Sequence, residues 1–422
     1  MKAATPSVGP VRAGLRAIPR NVWVVTATSF LTDVSTEMII NLIPLFLAEV
    51  LGVRTGIIGL IEGIAETTAT LMKVPSGWLS DRLGRRKWLT VAGYGFSTLA
   101  KPFLYFATSW IWVLGVRFAD RLGKGIRTAP RDALIADSVQ ANHRGIAFGL
   151  HRAGDTAGAA CGLMAALAIV WIVQGNALTF TRSTFQTVVL VSIVPATLAV
   201  LILAAGVYET RTGNSVGDTV QPTRRLSLKD LDVRFKGFLF VTALFTLGNS
   251  SDSFLILRAR ERGVSVLGVL AIMVAFNLVY ALVSGPAGAL SDRFGRRRLI
   301  LGGWLAYGAI YLGFALAETM WHVVALFISY GVYYGLAEGV ARALVADLVP
   351  AEQRATAYGL FSAVVGLTAF PASLIAGILW QGIGAWQGWG VRAPFAFGAC
   401  LALLAVLLLT FWWPSLGRKG VA

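Results

Sequence analysis

Long apolar stretches separated by short polar segments make up most of this chain of 422 residues. A helix of about 20 apolar residues is long enough to cross the hydrocarbon core of a bilayer. The pattern therefore predicts an all-α membrane protein with twelve membrane-spanning helices. The predicted helices cover residues 22–50, 56–79, 88–107, 109–137, 145–173, 187–208, 237–258, 264–290, 299–318, 320–348, 355–380 and 394–413.

One polar segment occurs twice, once in each half of the chain. The copy that begins at Gly77 reads GWLSDRLGRRKWL, and the copy that begins at Gly288 reads GALSDRFGRRRLI. A second repeat ends at Leu150 as RDALIADSVQANHRGIAFGL and at Leu360 as ARALVADLVPAEQRATAYGL. The repetition indicates two related halves of six helices each. Because six is even, both halves enter the membrane in the same sense and are predicted to be related by an axis along its normal.

Polar segments divide the chain into five predicted parts. A basic tail precedes the first apolar stretch, and a polar linker separates the two halves. The predicted parts are a cytoplasmic tail at 1–21, an N-terminal six-helix bundle at 22–208, a cytoplasmic linker at 209–236, a C-terminal six-helix bundle at 237–413 and a cytoplasmic tail at 414–422.

The composition agrees with a membrane protein, since 56% of the residues are hydrophobic and only 14% are charged. Soluble domains carry roughly 25% charged residues. The net charge of +16 resides mainly in short clusters at the N-terminus, in the linker and after predicted helices two and eight. Such clusters mark cytoplasmic loops. We therefore expect both termini in the cytoplasm of a bacterial inner membrane, although Arg258, Arg260 and Arg262 would then lie outside.

The repeated loop G-x-L-S-D-R-x-G-R-R-[KR] resembles the signature loop of the major facilitator superfamily. The resemblance extends over the whole chain in helix number, linker and repeat. It implies the fold of that family, with twelve transmembrane helices in two pseudo-symmetric six-helix bundles. It also implies the family's activity, which is secondary active transport by alternating access.

The resemblance further implies that this loop forms a charge relay with the end of helix four and holds the outward-facing state. The alternative is that the basic loop only fixes topology. The glycines Gly77 and Gly288 would allow close helix approach, and Gly84 and Gly295 a tight turn. The predicted latch residues are Gly77, Asp81, Arg82, Gly84, Arg85, Arg86, Asp137, Arg144, Gly288, Asp292, Arg293, Gly295, Arg296, Arg297, Asp347 and Arg354.

Predicted helix four carries an unusual row of charges. Helical spacing places Arg117, Asp120, Arg121, Lys124 and Arg127 along one stripe. Ionisable side chains at membrane depth usually line a cavity or pair with one another. The stripe resembles the family's helix-four motif associated with proton coupling. A structural ion-pair network with Asp33 or the glutamates of helix two is the alternative.

Four carboxylates in the first two helices are candidates for proton coupling. Asp33 and Glu37 are four residues apart, as are Glu62 and Glu66, so each pair lies on one helix face. Opposite a cationic helix four, they would form a polar cavity able to hold and release a proton. The same oxygen ligands would also suit a divalent metal ion.

Predicted helix five contains a stripe of small residues, Gly154, Gly158 and Gly162, suited to close helix contact. It partly resembles the antiporter signature of the family, with Ala159 where that signature has a proline. Asp155 is predicted to face the cavity, with His151 near its cytoplasmic entrance. In the C-terminal half, Asp252, Tyr334 and Glu338 are predicted to contribute to substrate selection.

The sequence contains no nucleotide-binding loop of the form G-x4-G-K-[ST], no H-E-x-x-H motif and no Cys/His cluster. We therefore predict a non-enzymatic, monomeric transporter without a cofactor or a resident metal, whose partners are a small molecule or ion, protons and the lipid bilayer, but not nucleic acid. The favoured function is proton-coupled efflux of a drug-like compound or a metal ion. Proton-coupled uptake of a small organic solute and a non-transporting sensor or scaffold are the alternatives.

Overall fold

The computed structural model describes residues 18–140, 143–175, 179–209, 232–350 and 354–413. Within its helices, the side chains at 144–145, 285, 288–289, 292, 338–339 and 354–356 lie outside the described part. Most of the predicted N-terminal tail and linker, and all of the predicted C-terminal tail, therefore fall outside it.

The described residues form twelve helical segments and no β-strand, which confirms the predicted all-α fold class. Nine of these segments are long and apolar enough to cross a membrane, and α2, α3 and α4 are not among them. The count of twelve membrane crossings remains a prediction. The segments are α1 Arg20–Val50, α2 Thr55–Leu83, α3 Arg86–Ala100 with its 3₁₀ extension Lys101–Phe106, α4 Trp110–Ser138, α5 Arg144–Gln174, α6 Arg182–Gly206, α7 Val233–Glu261, α8 Val266–Phe294, α9 Arg296–Leu316, α10 Met320–Asp347, α11 Arg354–Gln381 and α12 Ala393–Leu407 with its π-helical end Leu408–Trp412.

The helices pack into two six-helix bundles. In the first bundle α1 packs against α5 and α6, while α2 and α3 pack against α4. In the second, α7 packs against α11 and α12, while α8 and α9 flank α10. The glycine stripe of α5 lies against α1, where a Cβ at Gly158 would collide with the carbonyl oxygen of Phe30. The close α1–α5 contact therefore depends on small residues.

The two repeated loops form tight turns at equivalent positions. Gly84 ends α2 with φ +59°, and Gly295 separates α8 from α9 with φ +88°. Their amides donate to the carbonyl oxygens of Ser80 and Ser291, respectively. A positive φ is costly for any residue with a Cβ, so glycine is required at both turns. We call the face that carries these loops the basic face, and the other the opposite face.

A seam between α2 and α11 joins the two bundles near the opposite face. A Cβ at Gly59 or Gly377 would collide with the backbone of the facing helix, so the two helices touch directly. The hydroxyl of Thr55 donates to the carbonyl of Gly377 at 3.2 Å, and that of Thr67 to the carbonyl of Gly366 at 3.0 Å. Small residues and interhelical hydrogen bonds of this kind hold membrane helices together.

An ion pair closes the same end of the molecule. Arg260 of α7 donates to both carboxylate oxygens of Glu49 in α1, with Nη2 2.7 Å from Oε2. The guanidinium also donates to the carbonyl of Val264 at 2.6 Å, and Glu49 accepts the amide of Phe180 at 3.1 Å. Arg262, the second of the three arginines predicted to lie outside, lies 3.1 Å from Glu261.

The third, Arg258, is completely buried inside the second bundle. It donates to the carbonyl oxygens of Phe314 at 3.2 Å and Ala317 at 2.7 Å, which belong to the last turn of α9 and its cap. A cation at the C-terminal end of a helix satisfies carbonyls that have no intrahelical partner. Arg258 therefore anchors α7 to α9, in addition to its ion pair with Glu261.

Helix α7 departs from the prediction of one continuous span at 237–258. It consists of Val233–Gly248 and Ser253–Glu261, separated by the non-helical residues 249–252. The carbonyl oxygen of Gly248 accepts a hydrogen bond from the buried hydroxyl of Tyr307 at 2.9 Å. A partner from another helix thus satisfies a backbone group that the interruption leaves free.

We expect Glu49→Gln to weaken closure of the opposite face, because it removes the charge that attracts Arg260 while the amide oxygen can still accept the Phe180 bond. A partly exposed pair of this kind contributes roughly 1 kcal/mol, which corresponds to about a fivefold shift in population. The measurement is the rate at which a membrane-impermeant maleimide, added on the opposite face, labels Ile40→Cys, a cavity position. The background lacks Cys161 and Cys400, and Glu49→Gln should increase the labelling rate.

The matched control is Glu318→Gln. That carboxylate lies 4.0 Å from Arg392 in an exposed pair within one bundle, so its loss leaves the contact between bundles intact. Equal labelling rates for Glu49→Gln and the parent protein would show that the pair does not hold this face closed.

Candidate substrate cavity

A cavity lies between the two bundles, beyond the end of the α2–α11 seam. Its deeper part has a volume of about 440 Å³, and an adjoining part of about 450 Å³ extends along α2 towards the basic face. Both parts share Glu66, Asn249 and Tyr334. The cavity thus has walls from both bundles, and the seam separates it from the opposite face.

A buried ion pair stands at the centre of the first bundle. Arg117 of α4 lies 2.8 Å from Glu62 of α2, and both side chains are at most 6% exposed. A charge in such surroundings is costly unless it is paired. The pair therefore fixes the rotation of α2 against α4.

A second pair lies one helical turn along both helices. Arg121 Nη1 is 3.1 Å from Glu66 Oε1, and the Glu66 side chain is 48% exposed whereas that of Arg121 is buried. Glu66 lines both parts of the cavity. Glu66 can therefore contact a solute. Glu62 also lines the deeper part of the cavity, but its carboxylate is already paired with Arg117.

The remaining cations of the stripe have different surroundings. Arg127 lies over the ring of Tyr94 at 4.4 Å and donates to the Ser97 hydroxyl at 2.9 Å. Lys124 is exposed and interacts electrostatically with Glu66 and Asp33. The stripe thus divides its contacts between α2 and α3, while Lys124 is exposed.

Lys101 of α3 is a buried cation that the sequence analysis did not select. Its ammonium donates to the hydroxyls of Ser35 at 2.7 Å and Thr36 at 3.1 Å in α1. It also interacts electrostatically with Asp120 and Asp33. A lysine inside a predicted apolar helix is itself a signal of function, and this signal was available in the sequence.

The two α1 carboxylates occupy different positions. Glu37 lines the deeper part of the cavity and accepts a hydrogen bond from Asn41 at 3.1 Å. Asp33 is partly buried and interacts electrostatically with Asp155, Lys124 and Arg127. Asp33 thus lies among titratable groups of three helices.

His151 and Asp155 face each other on α5. His151 Nε2 is 3.7 Å from Asp155 Oδ2, which is too long for a hydrogen bond, and His151 is buried. Among the described residues neither ring nitrogen of His151 has a hydrogen-bond partner. The geometry assigns no proton acceptor to this histidine.

The second bundle contributes an aromatic wall. Phe245, Trp304, Tyr333 and Phe361 line the part of the cavity nearer the basic face. Phe245 stacks on Trp304 with ring centroids 4.5 Å apart. Tyr334 lines both parts, whereas Tyr330 is fully buried behind it at 5.1 Å. Some of the tyrosines therefore pack, and others are open to a ligand.

The structure describes the side chains of only part of the predicted latch. Arg86 Nη1 lies 2.6 Å from Asp137 and its Nη2 3.7 Å from Asp81, so the loop and the end of α4 meet in one cluster. In the second bundle Arg296 lies 2.9 Å from Asp347. The side chains of Arg144, Asp292 and Arg354, and position Gly288, lie outside the described part.

Other residues of the two loops do not join these clusters. Arg82 stacks on Trp78 at 5.2 Å, Arg85 and Arg293 are exposed, and Arg297 donates to the carbonyls of Leu409 and Thr410 at the end of α12. A Cβ at Gly77 would be 3.4 Å from that of Ala129, an ordinary contact.

The profile of the Major Facilitator Superfamily matches residues 25–265 and 238–420, one match for each half. The chain belongs to the major facilitator superfamily. This family membership confirms the resemblance seen in the loops and identifies the protein as a multi-pass membrane transporter of small molecules rather than an enzyme.

Similar proteins of the superfamily agree with this assignment. An uncharacterized MFS-type transporter of Methanocaldococcus jannaschii is 36% identical over 402 residues, covering 94% of this chain and 96% of the relative. The class C tetracycline resistance protein of Escherichia coli is 35% identical over 140 residues, 33% of each chain. A crystal structure of a nucleoside transporter NupG mutant has a TM-score of 0.76 at 13% identity, covering 92% of this chain and 98% of that one, and shares the fold.

The cavity of this major facilitator protein brings together several predicted residues and omits others. Glu37, Glu62, Glu66, Asp252 and Tyr334 line it, whereas Asp120 borders a separate small pocket beside Lys101. The side chain of Glu338 lies outside the described part. Among the described residues no three His, Cys, Asp or Glu side chains are arranged to hold a metal ion. The roles of these residues in transport remain predictions.

We expect Glu62→Gln to destabilise the protein more than Glu66→Gln does. Loss of one partner from a buried pair costs roughly 3–5 kcal/mol. The loss of Glu66 should cost less, because Glu66 is half exposed and Arg121 still has Asp120 at 3.9 Å. The measurement is the midpoint of thermal unfolding of the purified variants. The double variant Glu62→Gln/Arg117→Met, which removes both charges, should recover most of the loss. Equal midpoints for the two single variants would contradict the assigned difference in burial.

Proposed function

We propose that this protein exports a small organic solute in exchange for protons, by alternating access of the central cavity. The observation that carries the proposal is the cavity itself, which lies between two bundles and combines carboxylates on one wall with aromatic rings on the other. In this proposal the basic face is cytoplasmic and the protein works as a monomer in a bacterial inner membrane.

The shape of the cavity supports alternating access. Beyond the seam, the part of the cavity nearer the basic face is lined by Lys73 of α2 and by Phe361 and Ser362 of α11. The seam and the Glu49–Arg260 pair close the other end. Rocking of one bundle against the other would exchange the open end for the closed one.

The arrangement of charges supports coupling to protons. Asp33 and Glu37 lie on the helix that meets the cations of α4, and neither forms an ion pair within 4.0 Å in the described part of the chain. A carboxylate near several cations can exchange a proton when the surrounding helices move. Glu62, paired with Arg117, serves the structure, and Glu66 connects this network to the cavity.

Export is favoured over uptake by the similarity of one third of the chain to a tetracycline resistance protein. The aromatic wall of the second bundle is also suited to a bulky organic solute, because rings provide large apolar contact areas. Uptake by symport, a metal-ion substrate and a non-transporting sensor are separated from this proposal by the same experiment.

The decisive experiment uses purified protein in proteoliposomes with an imposed pH gradient and a trapped pH indicator. Organic cations, organic anions, neutral compounds and divalent metals are added in turn. Proton movement opposite to solute movement supports antiport, and movement in the same direction would replace it with symport. If no class of compound causes proton movement although the protein is folded, the hypothesis of a non-transporting sensor is favoured.

We expect Asp33→Asn to abolish solute movement against a concentration gradient while solute exchange at equal concentrations continues, because the amide cannot carry a proton. The measurement compares gradient-driven uptake with counterflow in the same proteoliposomes. Glu318→Gln, which removes a carboxylate outside the cavity, is the control. Unimpaired gradient-driven transport by Asp33→Asn would exclude this residue from coupling.

We expect Asp137→Asn to slow turnover more than Asp81→Asn, because Asp137 lies 2.6 Å from Arg86 and the exposed Asp81 lies 3.7 Å away. Both variants should shift the protein away from the state open on the opposite face. The measurements are initial transport rates and the cysteine labelling described above. Equal transport rates for both variants and the parent would show that the loop only fixes the topology of the protein.

A further inference from the structure

The interruption of α7 is a fixed part of the fold. Gly248, its last helical residue before the interruption, packs on α12, where a Cβ would lie 3.0 Å from the carbonyl oxygen of Gly398. The amide of Ser251 donates to the Ser373 hydroxyl of α11 at 3.2 Å. Contacts from α9 and α12 thus hold the helix end at Gly248, and α11 holds Ser251 within the interruption. The polar groups of residues 249–252 are therefore preorganised at the cavity.

The interruption presents consecutive polar side chains to one cavity. Residues 249–253, which read NSSDS, all line the deeper part of about 440 Å³. The side chain of Ser250 is more than nine-tenths buried there, with its hydroxyl beside that of Tyr311. Together these side chains make one wall of the cavity polar.

Asp252 is an acidic group without a cationic partner. Its Oδ1 accepts from the Tyr330 hydroxyl at 3.2 Å and its Oδ2 from that of Tyr334 at 3.5 Å. Within the described residues no Lys, Arg or His nitrogen lies within 4.0 Å of it. The Glu37 carboxylate across the cavity, which also has no cation within 4.0 Å among the described residues, adds further negative charge. Asp252 therefore lacks a cationic partner that a ligand can supply.

Aromatic rings complete the site. Phe276 lies edge to face with Tyr334 at 5.4 Å, and both line the same part of the cavity as Asp252. Ring faces attract organic cations. The adjoining part of the cavity continues this surface with Phe245, Trp304 and Phe361. A polar, acidic end is thus joined to an aromatic end, which also contains the cations Lys73 and Arg342.

We propose that the α7 interruption binds the ammonium group of an organic monocation whose aromatic body lies against Phe245, Trp304 and Phe361. The proposal rests on the proposed function, since it names the solute class for the same cavity. A bare monovalent metal ion shares the requirement for a carboxylate and hydroxyl groups. It would leave the aromatic end without a ligand, and the organic cation therefore fits the cavity better.

The test is isothermal titration calorimetry on the purified full-length protein with two probes of similar size. One is the permanently charged trimethyl(4-phenylbutyl)ammonium, and the other is the uncharged N,N-dimethyl-5-phenylpentanamide. We expect the ammonium probe to bind at least tenfold more tightly than the amide. Asp252→Asn should lose about tenfold or more of the ammonium affinity and change the amide affinity less than twofold.

Controls separate a lost site from a lost fold. Glu318→Gln should bind both probes as the parent protein does, and thermal unfolding of Asp252→Asn checks that the variant is folded. Asp252→Glu, which keeps the charge, should retain part of the preference for the ammonium probe. Ammonium affinity that is unchanged in folded Asp252→Asn overturns the assignment.

A salt series distinguishes an inorganic cation from the organic one. NaCl replaces KCl at constant ionic strength while thermal unfolding is measured for the parent and Asp252→Asn. Stabilisation by Na⁺ that depends on Asp252, together with equal affinity for the two probes, would overturn the inference in favour of a sodium site. Preference for the ammonium probe without a sodium effect supports it.

Failure of this inference and failure of the proposed function give different results. Binding needs no gradient, so Asp252-dependent ammonium binding without proton movement in proteoliposomes would retain the site and reject proton-coupled export. Proton movement driven by neutral or anionic solutes, undiminished in Asp252→Asn, would retain the function and reject the ammonium site.

Discussion

The pairing of charges inside the apolar part of the protein is the constraint on which the rest of the structure depends. A charged residue at the centre of a membrane helix costs about 2.5–3.5 kcal/mol on insertion scales. Helix α4 nevertheless contains Arg117, Arg121 and Arg127, all buried. Two of them are paired with Glu62 and Glu66 of α2, and the third lies against α3. The positions of α2, α3 and α4 relative to one another follow from these pairings.

Helix α2 connects this charge network to the contact between the bundles. Glu62 and Glu66 face α4, whereas Gly63 and Thr67, one residue further along, face α11. The two surfaces belong to one helix, so movement of α2 at the seam must move the carboxylates against α4 or carry α4 with it. The strength of the buried Arg117–Glu62 pair favours the second outcome. The first bundle should therefore move as a rigid body, with Glu66 as the part of the network that contacts the cavity.

The helices could be predicted well because the length of an apolar stretch and an internal repeat can both be read directly from the sequence. Every predicted helix has a counterpart, and the loops that contain Gly84 and Gly295 form the expected turns. The interruption of α7 was not predicted, because it depends on partners from distant helices such as Tyr307 and Ser373. The division of the α4 stripe was likewise not predictable, since it depends on how α2 and α3 are rotated. Lys101 was overlooked although its position in an apolar stretch was visible.

The two walls of the cavity differ in how their charges are balanced, and this difference bears on the mechanism. In the first bundle, cations from α4 pair with Glu62 and Glu66, whereas Asp33 and Glu37 form no ion pair among the described residues. In the second, Asp252 has only tyrosine hydroxyls as partners in the described part of the chain. A cationic group bound at Asp252 would face the unpaired Glu37 on the other wall, so it would attract both bundles at once. Closure around such a solute would reduce the repulsion between Asp252 and Glu37, which gives the loaded protein a reason to change state that the empty protein lacks.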